Sequence, residues 1–288
     1  MVNGWMGSEA DRQAEPSAGA STLVDGHWSD RIPADDRGLT YADGIFRTLT
    51  VAADKPIAWR AQYWQLAVDC SALGLQVPAE EDLRADLVKL FADSTGGVAR
   101  ITVTRSGGGR GYAPPADAGI RRIVTASPWP GHAADNQPLD LSISDIALGI
   151  QPALAGIKHL GRLEQVIARA ACQRAGVADL AMCDAEGWLV CTTMRNLLFV
   201  DADGGVTTPA LTRAGVAGAT RARLLAELGD SVAETDIRPG DLDGFVGAIA
   251  TNSVTGVRPV TRIGVKHFSQ SQAFAERAAV MLARSADA

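Results

Sequence analysis

An α+β fold in two units is what this sequence predicts, and three observations predict it. Apolar and polar residues alternate around tight-turn dipeptides in both halves, as in STLVDGHWS and DLAMCDAEGWLVC, which read as hairpins. Apolar residues fall at helical spacing over residues 60–74 and 79–92. A polar stretch with three prolines, PWPGHAADNQP, then separates the first half from the second.

Taken in order, residues 1–20 lack apolar periodicity and read as a disordered extension. A small domain is expected over 21–127. It begins with the STLVDGHWS hairpin and a second, GIFRTLTVAADKPIAW, with ADK at its turn. The two helices follow, the first stopped by Gly74 and the second opened by acidic residues that complement its dipole. GVARITVTR and IRRIVTAS read as strands around the loop SGGGRGYAPPADAG. Residues 128–137 are the expected linker, and 138–288 the larger domain. That domain starts with LDLSISDIAL and contains an amphipathic helix after Lys158. It continues through the DLAMCDAEGWLVC and NLLFVDADGGVTTP hairpins, a helix opened by GVAGATR, and the buried strand VGAIA leading into TNSVTG.

Composition excludes several classes of function. The chain has 288 residues, 47% hydrophobic, enough for one large or two moderate cores. A net charge of -6 and no basic run argue against nucleic acid or an anionic membrane surface as partner. No apolar run approaches the roughly 18 residues of a membrane span, and the N-terminus has no export pattern, so a cytoplasmic protein is expected. The cysteines at 70, 172, 183 and 191 show neither metal-ligand spacing nor a disulfide framework.

Four features carry possible chemistry. Lys158 is one of only four lysines against 23 arginines, and it follows the apolar run LAGI. A desolvated amine loses its proton easily and becomes nucleophilic; a lysine snorkelling from a helix start is the alternative. GVAGATR, at 215–221, places the amides of Gly218, Ala219 and Thr220 at a helix N-terminus, where they form an anion site or an ordinary glycine turn. TNSVTG, at 251–256, gathers hydroxyls at a strand end, as a ligand contact or a satisfied turn. SGGGRG, at 106–111, has no helix after it, which argues against a phosphate-binding loop; it reads as a flexible loop between two strands, or as a mobile loop bordering a site with Arg110 and Tyr112 reaching a carboxylate.

The ordered set DRGLTYADGIF, RITVTRSGGGRGY, LAGIKHLGRLEQV, DAEGWLVCTTMRNLLFV, TPALTRAGVAGATR and TNSVTGVRPV resembles the fold-type IV pyridoxal-phosphate enzymes from about Leu23 to Arg262. IKHLGRLEQV and SGGGRGY are more similar to the lyases of that family, which convert 4-amino-4-deoxychorismate to 4-aminobenzoate and pyruvate in folate synthesis, than to its transaminases. The resemblance implies a large domain with a β-barrel-like core, a pyridoxal 5'-phosphate cofactor between the domains, a small-molecule substrate and a homodimer. It makes Lys158 the Schiff-base lysine and the catalytic base, and puts Arg162 near the cofactor's phenolic oxygen. The phosphate would lie on Ala219, Thr220 and Ser253. Tyr41, Arg110 and Tyr112 would meet the substrate.

Two positions depart from the family pattern. Cys191 stands where relatives carry a Glu facing the pyridine nitrogen, and Gln65 where they carry an Arg that pairs with the phosphate. A neutral thiol does not hold that nitrogen protonated. The loss of a charge-assisted contact at Gln65 calls for compensation by Arg60 or Arg47. Both changes weigh against a class IV aminotransferase more than against the lyase, whose product gains aromaticity. They also leave a noncatalytic homologue of the fold as a further alternative.

Overall fold

The computed structural model describes residues 21–52, 55–107, 111–129 and 137–284. Its first half is an antiparallel sheet in the order β2-β1-β6-β5-β3-β4, formed by β1 (Thr22–Val24), β2 (His27–Trp28), β3 (Gly44–Ala52), β4 (Lys55–Pro56), β5 (Gly96–Arg105) and β6 (Ile120–Ser127). The DG turn behaves as its sequence predicts: Asp25 and Gly26 take φ of 50° and 85°, and Val24 pairs with His27. Such left-handed pairs match the twist of a two-residue hairpin, and glycine takes the second position without strain.

Three helices belong to this half: α1 (Arg37–Tyr41), α2 (Trp59–Ala72) and α3 (Glu80–Phe91). Trp59, Gln62, Leu66, Asp69 and Cys70 form the buried face of α2, at intervals of three and four residues. That face packs with Leu83, Leu87 and Phe91 of α3 over Ile45, Leu49, Ile101 and Val103 of the sheet. Two of its members, Gln62 and Asp69, are polar, which an all-apolar helix stripe does not require.

In the second half a six-stranded barrel closes in the order β10-β13-β14-β7-β8-β9 and back to β10 through the pair Asn196 and Cys191. Its strands are β7 (Leu139–Ile143), β8 (Leu180–Cys183), β9 (Leu189–Thr192), β10 (Asn196–Val200), β13 (Gly247–Asn252) and β14 (Gly256–Ile263). β11 (Val206–Pro209), β12 (Val232–Thr235) and β15 (Lys266–His267) extend it at the sides. After Asn196 the run LLFV is continuously apolar, as suits β10, which is buried on both faces. Leu197 and Phe199 point to the barrel interior with Ala248, Ala250 and Val260, while Leu198 and Val200 meet two covering helices, α5 (Ala219–Leu228) and α6 (Ser271–Arg284). A third, α4 (Leu163–Ala175), follows the Lys158 segment. The expected fold-type IV architecture, an α+β chain with a barrel core in its second half, is the one observed.

Candidate active site

Residues 156–160 are an extended strap between the two halves. On one side Gly156 bridges Val216, and its carbonyl accepts the Ala217 N–H at 2.8 Å. On the other, His159 bridges Ile45 of β3, the Lys158 carbonyl accepts the Phe46 N–H at 2.9 Å, and the Leu160 N–H donates to Gly44 at 3.0 Å. Lys158 is therefore fixed through its main chain at the seam, five residues before α4 starts, and is not a snorkelling residue of the helix. Its Nζ lies 4.4 Å from the centre of the Phe46 ring.

The electrostatics of this strap favour a neutral amine. Burial, followed by the positive charges of Arg47, Arg162 and Arg100, lowers the Lys158 pKa from 10.5 to about 7, and Asp69 opposes them only in part. The adjacent His159 is pushed down to about 4 by burial and by Arg162. Arg162 locks the strap by donating from Nε to the His159 carbonyl at 3.0 Å and from Nη2 to the Ile157 carbonyl at 2.6 Å. Cys191, 8% exposed on β9, is close enough to Arg162 and Lys158 to feel both charges. Burial foremost, then Asp179, nonetheless raises its thiol to about 12, so it stays protonated.

Across the seam lies the N-terminus of α5. Gly218 is the N-cap, no side chain caps the helix, and the first helical bond runs from the Ala222 N–H to the Gly218 carbonyl. The amides of Ala219 and Thr220 thus belong to the turn that has no intrahelical acceptor. Asn196 holds the approach to this turn, donating from Nδ2 to the Val216 carbonyl at 2.8 Å and accepting the Gly218 N–H at 3.2 Å. A Cβ at position 218 would come within 2.4 Å of Asn196 Oδ1, which explains the glycine. The Thr220 and Ser253 hydroxyls meet at 3.3 Å. Asn252 closes the turn of TNSVTG by accepting from the Val254 and Thr255 amides, so the segment is both a turn and a contributor to the seam.

Gln65 reaches this region through Arg47. The Arg47 Nη2 donates to Gln65 Oε1 and to the Gln65 carbonyl, both at 3.3 Å, and pairs with Asp69, while Nη1 donates to the Ala217 carbonyl at 3.1 Å. Asp69 also accepts the Lys158 N–H at 3.3 Å. The Arg47–Asp69 pair, not Gln65, is the charged link between the strap and the α5 turn. Asp69 and Asn196 went unassigned in the sequence reading. Asp69 lies four residues after Gln65, on the same face of α2, and that spacing was the available signal.

Tyr41 and Tyr112 form an edge-to-face pair with centroids 5.5 Å apart, 37% and 86% exposed. Arg37 stacks on Tyr41 at 4.8 Å and donates to the Gly111 and Tyr112 carbonyls. The pair joins the seam through Asp43 and Gly44, where β3 begins. Arg110 lies outside the described residues.

A barrel unit and an α+β sheet unit joined at a lysine strap define the class. The amino-transferase class IV family model matches residues 44–263, and the chain belongs to that family. Within it, the chain is 32% identical to the aminodeoxychorismate lyase of Vibrio harveyi over 249 residues, covering 83% of this chain and 90% of the relative. The crystal structure of 4-amino-4-deoxychorismate lyase from Pseudomonas aeruginosa superposes with a TM-score of 0.83 at 35% identity, covering 93% of this chain and all of that one. A hypothetical aminotransferase of Mycobacterium tuberculosis in its PLP-bound form shares the fold, with a TM-score of 0.74 at 18% identity, over 92% of this chain and 100% of its own.

Proposed function

We propose that this chain is a pyridoxal-phosphate-dependent lyase that converts 4-amino-4-deoxychorismate to 4-aminobenzoate and pyruvate. The observation that carries the reading is the pairing of a lysine amine lowered to about 7 with an uncapped helix N-terminus across the seam. The donor set suits the cofactor's two ends. Unpaired amides of Ala219 and Thr220 with the Thr220 and Ser253 hydroxyls fit a phosphate, and a neutral amine fits an aldehyde. Two buried polar atoms in the same region, Arg47 Nε and Thr251 Oγ1, have no hydrogen-bond partner, and Thr251 is the register partner of Asn196. With Gln65 neutral, Arg47 supplies the positive charge beside the phosphate.

What pyridoxal phosphate supplies when bound is an aldehyde that captures amines and a ring that accepts electron density. The residues of the chain do the rest. Lys158 Nζ, neutral above about pH 7, takes the proton from the ring carbon that bears the substrate's amine, and returns a proton as the carbon–oxygen bond to the enolpyruvyl group breaks. Pyruvate leaves as its enol, and the six-membered ring becomes aromatic. Arg162 holds the strap that carries Lys158, and Tyr41 and Tyr112 would border the substrate. Cys191 would stand at the pyridine nitrogen as a protonated thiol and would leave the ring a weaker electron sink, which suits elimination driven by aromatisation better than reversible amino transfer.

The purified protein is expected to be yellow, with a visible absorbance band that borohydride removes. A colourless protein that cannot be reconstituted with pyridoxal phosphate overturns the reading. Cys191→Glu is expected to make the band respond to pH differently from wild type by protonating the ring nitrogen, without loss of fold. An unchanged spectral titration counts against that placement of the thiol.

The chain acts as two units, 21–127 and 138–288, and as a homodimer in the cytoplasm. The dimer is supported by α4, which leaves Leu163, Val166 and Ile167 at 75%, 59% and 50% exposure on one face. Leu163→Asp combined with Val166→Asp is expected to give a monomer by analytical ultracentrifugation; an unchanged mass excludes that face. Among the described residues, no helix is long and apolar enough to cross a membrane.

A further inference from the structure

A second recess lies one helical turn beyond the α5 N-terminus. It is a groove of about 780 Å³ walled by α2, the start of α3 and α5, and Lys158, Arg162 and Cys191 take no part in it. Its facing walls present alanines, Ala58 and Ala61 from one side and Ala222 and Ala226 from the other, so no side chain fills the space between the helices. The volume is in the range of ordinary small-molecule sites.

The chemistry of the walls is specific. Trp59 and Tyr63 stack at 5.9 Å, and their neighbour Trp64 leaves its indole 67% exposed at the groove. A large flat apolar surface held in water on a rigid helix is a stacking platform. Arg60, Arg84 and Arg223 also line the groove, against the single carboxylate of Glu80. Arg84 donates from Nε to Glu80 at 2.8 Å and stacks on Trp59 at 5.0 Å, which sets its guanidinium beside the aromatic wall. A guanidinium has five N–H donors, so this engagement leaves donors for a ligand. Arg223 is engaged as well, donating from Nη2 to the Leu282 carbonyl and lying near Glu227, so Arg84 is the guanidinium whose remaining donors carry the argument.

We propose that this groove is a second binding site, for a planar aromatic ring bearing a carboxylate or phosphate, with the ring on Trp64 and the anion on the arginines. Gln65 and Ala222 line the groove, and Gln65 accepts from Arg47, which bonds to Ala217 just before the α5 turn.

The test is calorimetric titration of the protein loaded with pyridoxal phosphate. The probes are 4-aminobenzoate and adenosine 5'-monophosphate, with 4-aminobenzamide and adenosine as neutral counterparts. At least one anionic probe is expected to bind at least tenfold more tightly than its neutral counterpart; the responding probe tells a carboxylate from a phosphate ligand. Trp64→Ala, an exposed substitution, and Ala226→Trp, which fills the groove, are each expected to weaken binding at least tenfold, whereas Lys158→Ala retains it. No binding by either anion, binding unchanged in the two groove variants, or binding lost in Lys158→Ala overturns the proposal. Because 4-aminobenzoate also meets the catalytic seam in the lyase reading, the groove is read as the binding lost in Trp64→Ala and Ala226→Trp and kept in Lys158→Ala, so failure of this proposal is separate from failure of that reading.

Discussion

Lys158→Ala lowers conversion of aminodeoxychorismate by about 10⁴-fold, the upper end of what a positioned proton-transfer group contributes, and removes the borohydride-sensitive absorbance of the loaded protein. The size of the effect follows from the lack of a substitute. His159, next in the chain, is held near 4 and is a poor proton donor and a weak base at neutral pH; the Cys191 thiol, near 12, keeps its proton and cannot accept one. Arg162 has both described donor contacts committed to the strap's own carbonyls. The amine also has a signature independent of turnover. In cofactor-free protein an acylating reagent is expected to modify Lys158 with a midpoint near pH 7, since below that pH the amine holds its proton and above it the neutral form reacts. A midpoint near the ordinary 10.5 of lysine shows instead that burial and Arg47, Arg162 and Arg100 do not perturb it.

Asp179→Ala is the substitution expected to cost most in stability, about 3–5 kcal/mol, the usual penalty for stranding one partner of a buried ion pair. Asp179 is fully buried and accepts from the Thr192 hydroxyl at 2.8 Å, the Thr193 amide at 3.1 Å and hydroxyl at 2.5 Å, and Arg195 Nη1 at 2.7 Å. Its removal leaves the guanidinium of Arg195, 7% exposed, without its carboxylate. The loss is local to function as well. Residues 192–195 join β9 to β10 and so fix Cys191 and Asn196, and Asn196 in turn holds Gly218. Urea denaturation is expected to show the lower stability, and pyridoxal phosphate is expected to bind more weakly at temperatures where the variant is folded. Asp179→Asn, which keeps one acceptor oxygen, turns the other into a donor and loses the charge, is expected to lie between. Equal stability of Asp179→Ala and wild type contradicts the structural role given to this carboxylate.

What the sequence discloses depends on how local each feature is. The hairpin at Asp25–Gly26 and the helix starting at Ala219 are set by a few adjacent residues, and both are where the pattern puts them. NLLFV reads as a strand from its length and composition, but not which residues face the barrel and which face α5 and α6, because the four residues after Asn196 are all apolar. The short helix α1 is capped by Asp36, whose Oδ1 accepts the Gly38 N–H at 2.8 Å, and spans too few residues for a periodic signal. The candidate site is less legible still. The pKa of Lys158 is set first by burial and then by Arg47 on β3, Arg162, Arg100 on β5 and, in opposition, Asp69 on α2, residues separated in the sequence and brought together around the strap. From the sequence, Gln65 looked like a missing positive charge; in the structure Arg47 stands against it and occupies the link to Ala217.

The central claim is that the lysine strap and the α5 turn together form a lyase and not an amino-transfer site. The most direct measurement is to supply the protein, loaded with pyridoxal phosphate, with 4-amino-4-deoxychorismate and no 2-oxo acid, and to quantify both products over many turnovers. The account predicts 4-aminobenzoate and pyruvate in equal amounts, with no need for an amino acceptor. Turnover that stops after one equivalent and resumes only when a 2-oxo acid is added, or no 4-aminobenzoate at all, contradicts it.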